Sequence, residues 1–286
     1  IEVACSVPGI DVLITGHAHR GVETPIVVEP TGTLLVSTYG MGTRLGELVL
    51  ELDPESLEIA EHRGRLIPVM AADIPADPGM EQLILKWEKR VNEIAGEVIG
   101  TATIPLTRNY HDESPLGSLC ADAFREAAGT EVAISNSGGL RADIPAGAIT
   151  VGQVLAVYPF ENPIVKMSLT GEQILRVLEH GATLDYGIAQ VSGIHMTVDF
   201  SRPKGDRVRD VAINGTPLER DRRYTVATSD YLANGGDAFT VFAQASDIQP
   251  TDAFCTEAII TWVRRQQRID AEPTDRIRVL EPVSGP

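Results

Sequence analysis

The amino-acid pattern changes once along the chain, between residues 66 and 78, where Pro68, Pro75 and Pro78 fall among small residues. Proline lacks a backbone donor and fixes φ, so a stretch this rich in it interrupts ladders and helices alike and reads as a linker. Before the break there are only short strand-like runs; after it, strands and helices alternate. A chain of 286 residues holds one or two domains of ordinary size. The expected organisation is residues 1–66 as the end of one domain, residues 67–95 as a linker with a helix, and residues 96–286 as a complete second domain.

In the first part, residues 11–15 form an apolar run bounded by turn signals and read as a buried strand, ending at Gly16-His17-Ala18-His19. Residues 25–29, 33–38 and 45–53 read as further strands. Ile1 is not Met, and a buried-looking strand begins within ten residues, so the sequence reads as a piece of a longer polypeptide. Beyond the prolines, Met80, Leu83, Ile84, Trp87, Val91 and Ile94 recur at helical spacing between charged residues, which predicts a helix over 78–95.

The second part carries explicit helix starts. Ser114-Pro115 places a capping hydroxyl before proline at the first helical position, and Leu116, Leu119, Cys120, Ala123, Phe124 and Ala127 supply one apolar face. Thr150 caps a short helix to residue 158. Thr170, three residues before Gln173, opens another through residue 182 as a capping box. Strands are expected at 132–135, 164–169 and 277–280, a hairpin turn at Asn214-Gly215, and a last helix from Thr251 to about residue 267. The fold class is α/β to α+β, with mixed sheets and flanking helices.

Composition narrows the function classes. At 43% hydrophobic and 22% charged, the chain is globular rather than disordered or coiled-coil. Its 24 Lys and Arg against 40 Asp and Glu give a formal charge of -16, which repels a nucleic-acid polymer. A small anion held by a few local arginines remains compatible. Cys5, Cys120 and Cys255 are widely spaced and form no C-x-x-C, so neither a disulfide framework nor a cysteine-rich zinc site is indicated. No apolar run is long enough for a membrane span.

The sharpest chemical signal is Gly16-His17-Ala18-His19 after a strand, because imidazole is a common transition-metal ligand near neutral pH. In a strand-like conformation the two histidines would point the same way. The phrase Ile10-Asp-Val-Leu-Ile-Thr-Gly-His-Ala-His19 resembles the last metal-binding motif of the calcineurin-like metallophosphoesterases. Four later phrases resemble the 5′-nucleotidase family. They are Glu113-Ser-Pro-Leu-Gly-Ser-Leu-Cys-Ala-Asp-Ala123, Asn136-Ser-Gly-Gly-Leu-Arg-Ala-Asp143, Tyr158-Pro-Phe-Glu-Asn162 and Tyr231-Leu-Ala-Asn-Gly-Gly-Asp237.

That resemblance implies a four-layer dimetal hydrolase domain, of which residues 1–66 are the last strands, followed by a C-terminal domain that binds the nucleoside. His17 and His19 match positions that contribute to a site for two divalent metal ions, whether Zn, Mn, Mg or Ca. The family's other ligands come from earlier motifs, and its D-x-H and G-N-H phrases do not occur in this sequence. Phe160 and Tyr231 match two rings that sandwich the base, and Asn162 matches an asparagine that reads the base edge. Asn136 and Arg141 match contacts to the sugar and phosphate region, and Asp237 matches the ribose ligand. The helix over 78–95 corresponds to the hinge between the two domains, and the family's location implies a periplasmic, cell-surface or secreted protein.

One departure is notable. Many relatives carry an arginine just before the helix at Pro115, where this chain has Tyr110-His111-Asp112-Glu113, and Arg108 is the nearest stand-in. Ser137 also replaces a customary glycine. Either change fits a preference for cyclic nucleotides or nucleotide sugars over simple monophosphates. The function expected is hydrolysis of nucleotide phosphate esters, with a 2′,3′-cyclic-nucleotide phosphodiesterase or UDP-sugar hydrolase as alternatives. A nucleoside-binding module inactive on its own is a further alternative, and a relative acting on sulfur-oxidation intermediates is disfavoured by the complete stacking pair. His111, His62, His180 and His195 lack metal-like spacing, and Cys120 reads as a small core residue.

Overall fold

The computed structural model describes residues 1–17, 19–72, 74–270 and 275–280. Ala18 of the histidine motif, Asp73 of the linker and the extreme C-terminal residues of the expected 96–286 domain lie outside the described residues. Two compact units are present, Ile1–Lys86 and Trp87–Pro286.

The first unit opens with a short helix, α1 (Glu2–Ser6), followed by β1 (Val12–Thr15), β2 (Ile26–Val28) and β3 (Thr33–Ser37). These strands form one sheet in the order β1-β3-β2, with β1 parallel and β2 antiparallel to β3. Its small core is Ala4, Val28 and Leu35, with Leu13 and Val22 against it. The expected buried strand at 11–15 does form, but it is not buried: Ile14 is 77% exposed. Its side chains alternate across the sheet, and only Leu13 reaches that core.

Two longer strands, β4 (Arg44–Leu52) and β5 (Ile59–Pro68), pair antiparallel from Arg44 opposite Pro68 to Leu52 opposite Ile59. β5 is not legible in the sequence, because its charged residues leave little apolar alternation. It runs through Pro68, two residues into the stretch expected to be linker. Helix α2 (Pro78–Ala95) occupies the span its periodicity predicts, and the division between the units falls inside it. None of its residues is buried.

The second unit contains β6 (Val98–Ala102), α3 (Pro115–Ala128), β7 (Val132–Asn136), β8 (Gly147–Thr150), α4 (Val151–Val157), β9 (Pro163–Thr170) and α5 (Gly171–Gly181). It continues with β10 (Ala189–Ser192), β11 (Ile194–Val198), β12 (Val208–Ile213), β13 (Thr216–Pro217), β14 (Arg223–Ser229) and α6 (Asp230–Ala233). Last come β15 (Ser246–Phe254), α7 (Cys255–Gln266), β16 (Arg268–Ile269) and β17 (Ile277–Val279). The central sheet has the order β10-β7-β14-β9-β15, with β7 and β14 parallel and the other neighbours antiparallel. Smaller sheets, β13-β12-β11-β17 and β16-β6-β8, lie within the same unit.

Strand alternation sends the central sheet into two cores. Val132 and Ile134 of β7, Val226 of β14 and Met167 of β9 join Ile174, Val177 and Leu178 of α5 in one cluster. Ala133, Ala227 and Ile164 face the other way, against Leu116, Cys120 and Phe124 of α3 and Ile259 and Val263 of α7. Burial on both faces explains why Val132, Ala133 and Ile134 of β7 form a continuous apolar run.

The local start signals operate as the sequence predicts. The Ser114 hydroxyl accepts from the Gly117 N–H at 2.9 Å, with Pro115 at the first helical position, and Thr150 and Thr170 each form complete capping boxes. Asn214 and Gly215, both at positive φ, turn β12 into β13. Thr251 is a correction. It lies within β15, where its hydroxyl donates to the Ile164 carbonyl at 2.8 Å, and α7 begins four residues later without a side-chain cap. A threonine serves a strand as readily as a cap, and the pairing of β15 with β9 decides here.

Gly171 follows the Thr170 cap, where a Cβ would meet the Glu219 carbonyl oxygen at 2.2 Å. Alanine ordinarily stabilises a helix relative to glycine by about 1 kcal/mol. Here the obstacle is backbone, so Gly171→Ala is expected to destabilise the unit by about 1–3 kcal/mol, read as a lower denaturant midpoint.

Candidate functional site

The strand order of the central sheet brings five segments to one edge. β7 and β14 run parallel, so both end there, at Asn136 and at Ser229. β9 and β10 run the opposite way and begin there: Ile164 pairs with Ser229, and Ala189 pairs with Asn136. The loop before β9 (158–162), the loop before β10 (186–188) and the segment after β14 (230–238) therefore converge. Helix α5, leaving β9 at the far edge, runs back and delivers His180 to the same end.

Asp237 is the hub. Its Oδ2 accepts from Asn136 Nδ2 at 2.6 Å and its Oδ1 from the Tyr231 hydroxyl at 2.7 Å, while its own N–H donates to the Tyr231 oxygen at 3.2 Å. It sits in the left-handed region at φ 49, ψ 32. Donation to a carboxylate stabilises the neutral phenol, and this hydrogen bond, followed by partial burial, holds Tyr231 above the usual tyrosine pKa. Asn136 is only 5% exposed, and its Oδ1 is buried without a hydrogen-bond partner.

The rings expected to stack are not core aromatics: Phe160 is 37% and Tyr231 46% exposed. Phe160 is braced from beneath by Tyr158, edge to face with centroids 5.7 Å apart, and Tyr158 by Phe124 at 5.8 Å. Tyr231 lies over Gly236, where a Cβ would come within 2.5 Å of the ring, so only glycine permits that approach. The Arg141 guanidinium stands 5.6 Å from the Phe160 ring centre and donates to the Gly138 carbonyl at 3.2 Å. Asn162 donates to Asp230 Oδ1 at 2.6 Å, and the same oxygen accepts from the Tyr231 N–H.

Arg108, the sequence's stand-in for the missing arginine, is engaged elsewhere. Its N–H and Nε both reach Asp143 Oδ1, at 2.9 and 3.0 Å, and a terminal nitrogen reaches the Leu140 carbonyl. Arg141 has no such ion pair among the described residues. Sequence reasoning missed Asp230, Tyr186 and His180. Tyr186 is exposed beside the His180 ring, and no local spacing announced either of them.

The histidine motif belongs to the first unit and its backbone corrects the expectation. His17 and His19 follow β1 at φ 67 and φ 54, both left-handed, so they do not share the strand-like alternation expected of them. Pairing with β3 ends at Thr15, so neither histidine belongs to the strand. The His19 ring lies against Gly40, where a Cβ would fall 2.5 Å from its Cγ. No group of three or more His, Cys, Asp or Glu is arranged to hold a metal among the described residues.

Comparison with known proteins places the chain in a family. Residues 98–244 match the family described as 5′-nucleotidase, C-terminal domain, and the chain belongs to that family. It is 32% identical over 266 residues to the trifunctional nucleotide phosphoesterase protein YfkN of Bacillus subtilis (strain 168), a match covering 86% of this chain and 18% of that protein. The crystal structure of a 5′-nucleotidase precursor from Thermus thermophilus superposes with a TM-score of 0.77 at 30% identity, over 98% of this chain and 62% of that one. The sulfate thiohydrolase SoxB of Thermus thermophilus shares the fold, with a TM-score of 0.68 at 24% identity over 98% of this chain and 52% of that one. The chain thus spans less than two thirds of the proteins it matches. Among the described residues no helix is long and apolar enough to cross a membrane.

Asp237→Asn removes the anion that the Tyr231 phenol faces. Tyr231 is then expected to ionise at lower pH than in the parent protein, observed by NMR titration of the tyrosine ring carbons with Tyr231→Phe for assignment.

Proposed function

We propose that the intact protein hydrolyses phosphate esters of nucleotides, and that the second unit of this chain holds the nucleoside. The observation that carries the reading is the convergence of two exposed rings, Phe160 and Tyr231, with the Asn136–Asp237 pair and Arg141 on one sheet edge. Stacking supplies about 1–3 kcal/mol per base and tolerates many bases. Asp237 keeps lone pairs beyond the two donors it already has, which suits the vicinal hydroxyls of a ribose. Asn136 Oδ1, buried without a partner, is a further acceptor for a donor brought by the ligand.

Arg141 is placed for the anionic end of the ligand, since a guanidinium pairs well with phosphate. Asn162, its amide nitrogen held by Asp230, is the candidate contact to the base edge. The commitment of Arg108 to Asp143 leaves Arg141 for the anionic end, a phosphate-side arrangement unlike the one the family resemblance implies. That observation keeps a 2′,3′-cyclic nucleotide or a UDP-sugar as the second reading.

Hydrolysis in this class calls for two divalent ions that polarise the phosphoryl group and activate a water. His17 and His19 are the candidate contribution. Two imidazoles do not fit a pair of metals about 3.5–4 Å apart with a bridging nucleophile, so binding and orientation are the tasks assigned to this chain's residues. A periplasmic, cell-surface or secreted location accompanies the reading.

Two outcomes test it. Adenosine should bind in calorimetry, and Phe160→Ala should weaken it by about 5- to 150-fold, the range that loss of one stacking contact implies. An unchanged affinity rejects the stacking assignment. The 286-residue chain with Mn²⁺ or Zn²⁺ should release no phosphate from AMP above background; robust turnover would overturn the division of labour.

A further inference from the structure

The hub of the site sits in a left-handed stretch of backbone. Asp237 (φ 49) and Ala238 (φ 59) are consecutive L residues in the left-handed region, and Gly235, two residues before Asp237, is at φ 88. Side-chain crowding against the carbonyl disfavours that region for most L residues, Asn and Asp being the usual exceptions, so Ala238 beside Asp237 persists there only where surrounding contacts hold the pair. The carboxylate spans Asn136 and Tyr231 from this conformation. Relaxation of residues 237–238 to an ordinary turn would swing it away.

His180 supplies the contact. Its Nε2 lies 2.8 Å from the backbone carbonyl oxygen of Asp237. A carbonyl only accepts, so Nε2 carries the proton and donates. The ring is wedged edge-on against Phe239, centroids 4.5 Å apart at 82°, and tilted against Tyr186 at 6.2 Å, so packing as well as α5 fixes its direction.

We infer that His180 is a positioning residue for the nucleoside site: its Nε2–H pins the Asp237 carbonyl and so keeps the Asp237 carboxylate across Asn136 and Tyr231. The inference deepens the proposed function and rests on it only for the identity of the ligand. The requirement is for a donor and not for charge. Neutral imidazole with its proton on Nε2 and imidazolium both present Nε2–H, so a neutral amide of the same reach is sufficient. Sequence spacing hid this role, because His180 and Asp237 are 57 residues apart.

The test compares three variants of the full chain. His180→Phe keeps a ring against Phe239 without the donor. His180→Gln places an amide N–H at about the reach of Nε2, and His180→Asn carries the same amide one carbon short. Two readouts are taken: the Tyr231 ionisation by ring-carbon NMR, which needs no ligand, and the adenosine Kd by calorimetry. With the donor lost or out of reach, in His180→Phe and His180→Asn, Tyr231 should ionise at lower pH and the Kd rise about tenfold or more. His180→Gln should restore both readouts to near the parental values. If His180→Phe fails to fold, the Gln and Asn pair still decides. Parental Tyr231 ionisation in His180→Asn, or equal impairment in His180→Gln and His180→Asn, overturns the inference. If the parent binds no adenosine, the nucleoside reading fails, while the Tyr231 ionisation still settles what His180 does.

Discussion

The pairing of β14 with β7 on one side and β9 on the other is the constraint that governs the second unit. One neighbour is parallel and the other antiparallel, so two strand ends and the start of a third must meet at one edge. Antiparallel pairing of β10 with β7 adds the 186–188 loop to the same edge. Both faces of this sheet are covered, by α5 on one side and by α3 and α7 on the other. A platform buried on both faces is rigid enough to hold loops in a fixed relation, and binding residues are commonly carried on loops so positioned.

Local charge at the site differs from the charge of the whole. A formal charge of -16 disfavours polyanions, yet at this edge the acidic Asp237 is met by two donors and the guanidinium of Arg141 has no carboxylate partner among the described residues. Interactions between exposed charges fade within about 10 Å at ordinary ionic strength, so a small anion responds to Arg141 and its immediate neighbours more than to the distant acidic surface. Arg108 illustrates the complementary case. Its guanidinium is paired with Asp143 at 3.0 Å.

The backbone around the site is left-handed at consecutive residues and closely packed. Tyr231 approaches Gly236 so closely that no side chain fits there, and the following Asp237 and Ala238 take left-handed conformations. The resulting cluster of hydrogen bonds links β7, α6, the turn after α6 and the end of α5. His17 and His19 of the first unit are left-handed as well, with His19 against Gly40. In both places a glycine lets another side chain lie flat on the main chain.

Features legible in the amino-acid order are local ones. The caps at Ser114, Thr150 and Thr170 act on N–H groups three residues away, the Asn214-Gly215 turn closes on its neighbours, and the apolar periodicity of 78–95 is a property of one helix. The phrases that carry the family resemblance are readable too, because each is a short stretch of consecutive residues. Thr251 shows where such reading ends: its hydroxyl has the chemistry of a cap, but a partner strand 87 residues away claims it. Folding in three dimensions was needed to bring Asn136 to Asp237 across 101 residues, to spend Arg108 on Asp143 and to carry His180 to the Asp237 carbonyl. These are side-chain contacts between segments whose spacing in sequence carries no periodicity, and only the order and direction of the strands place them side by side.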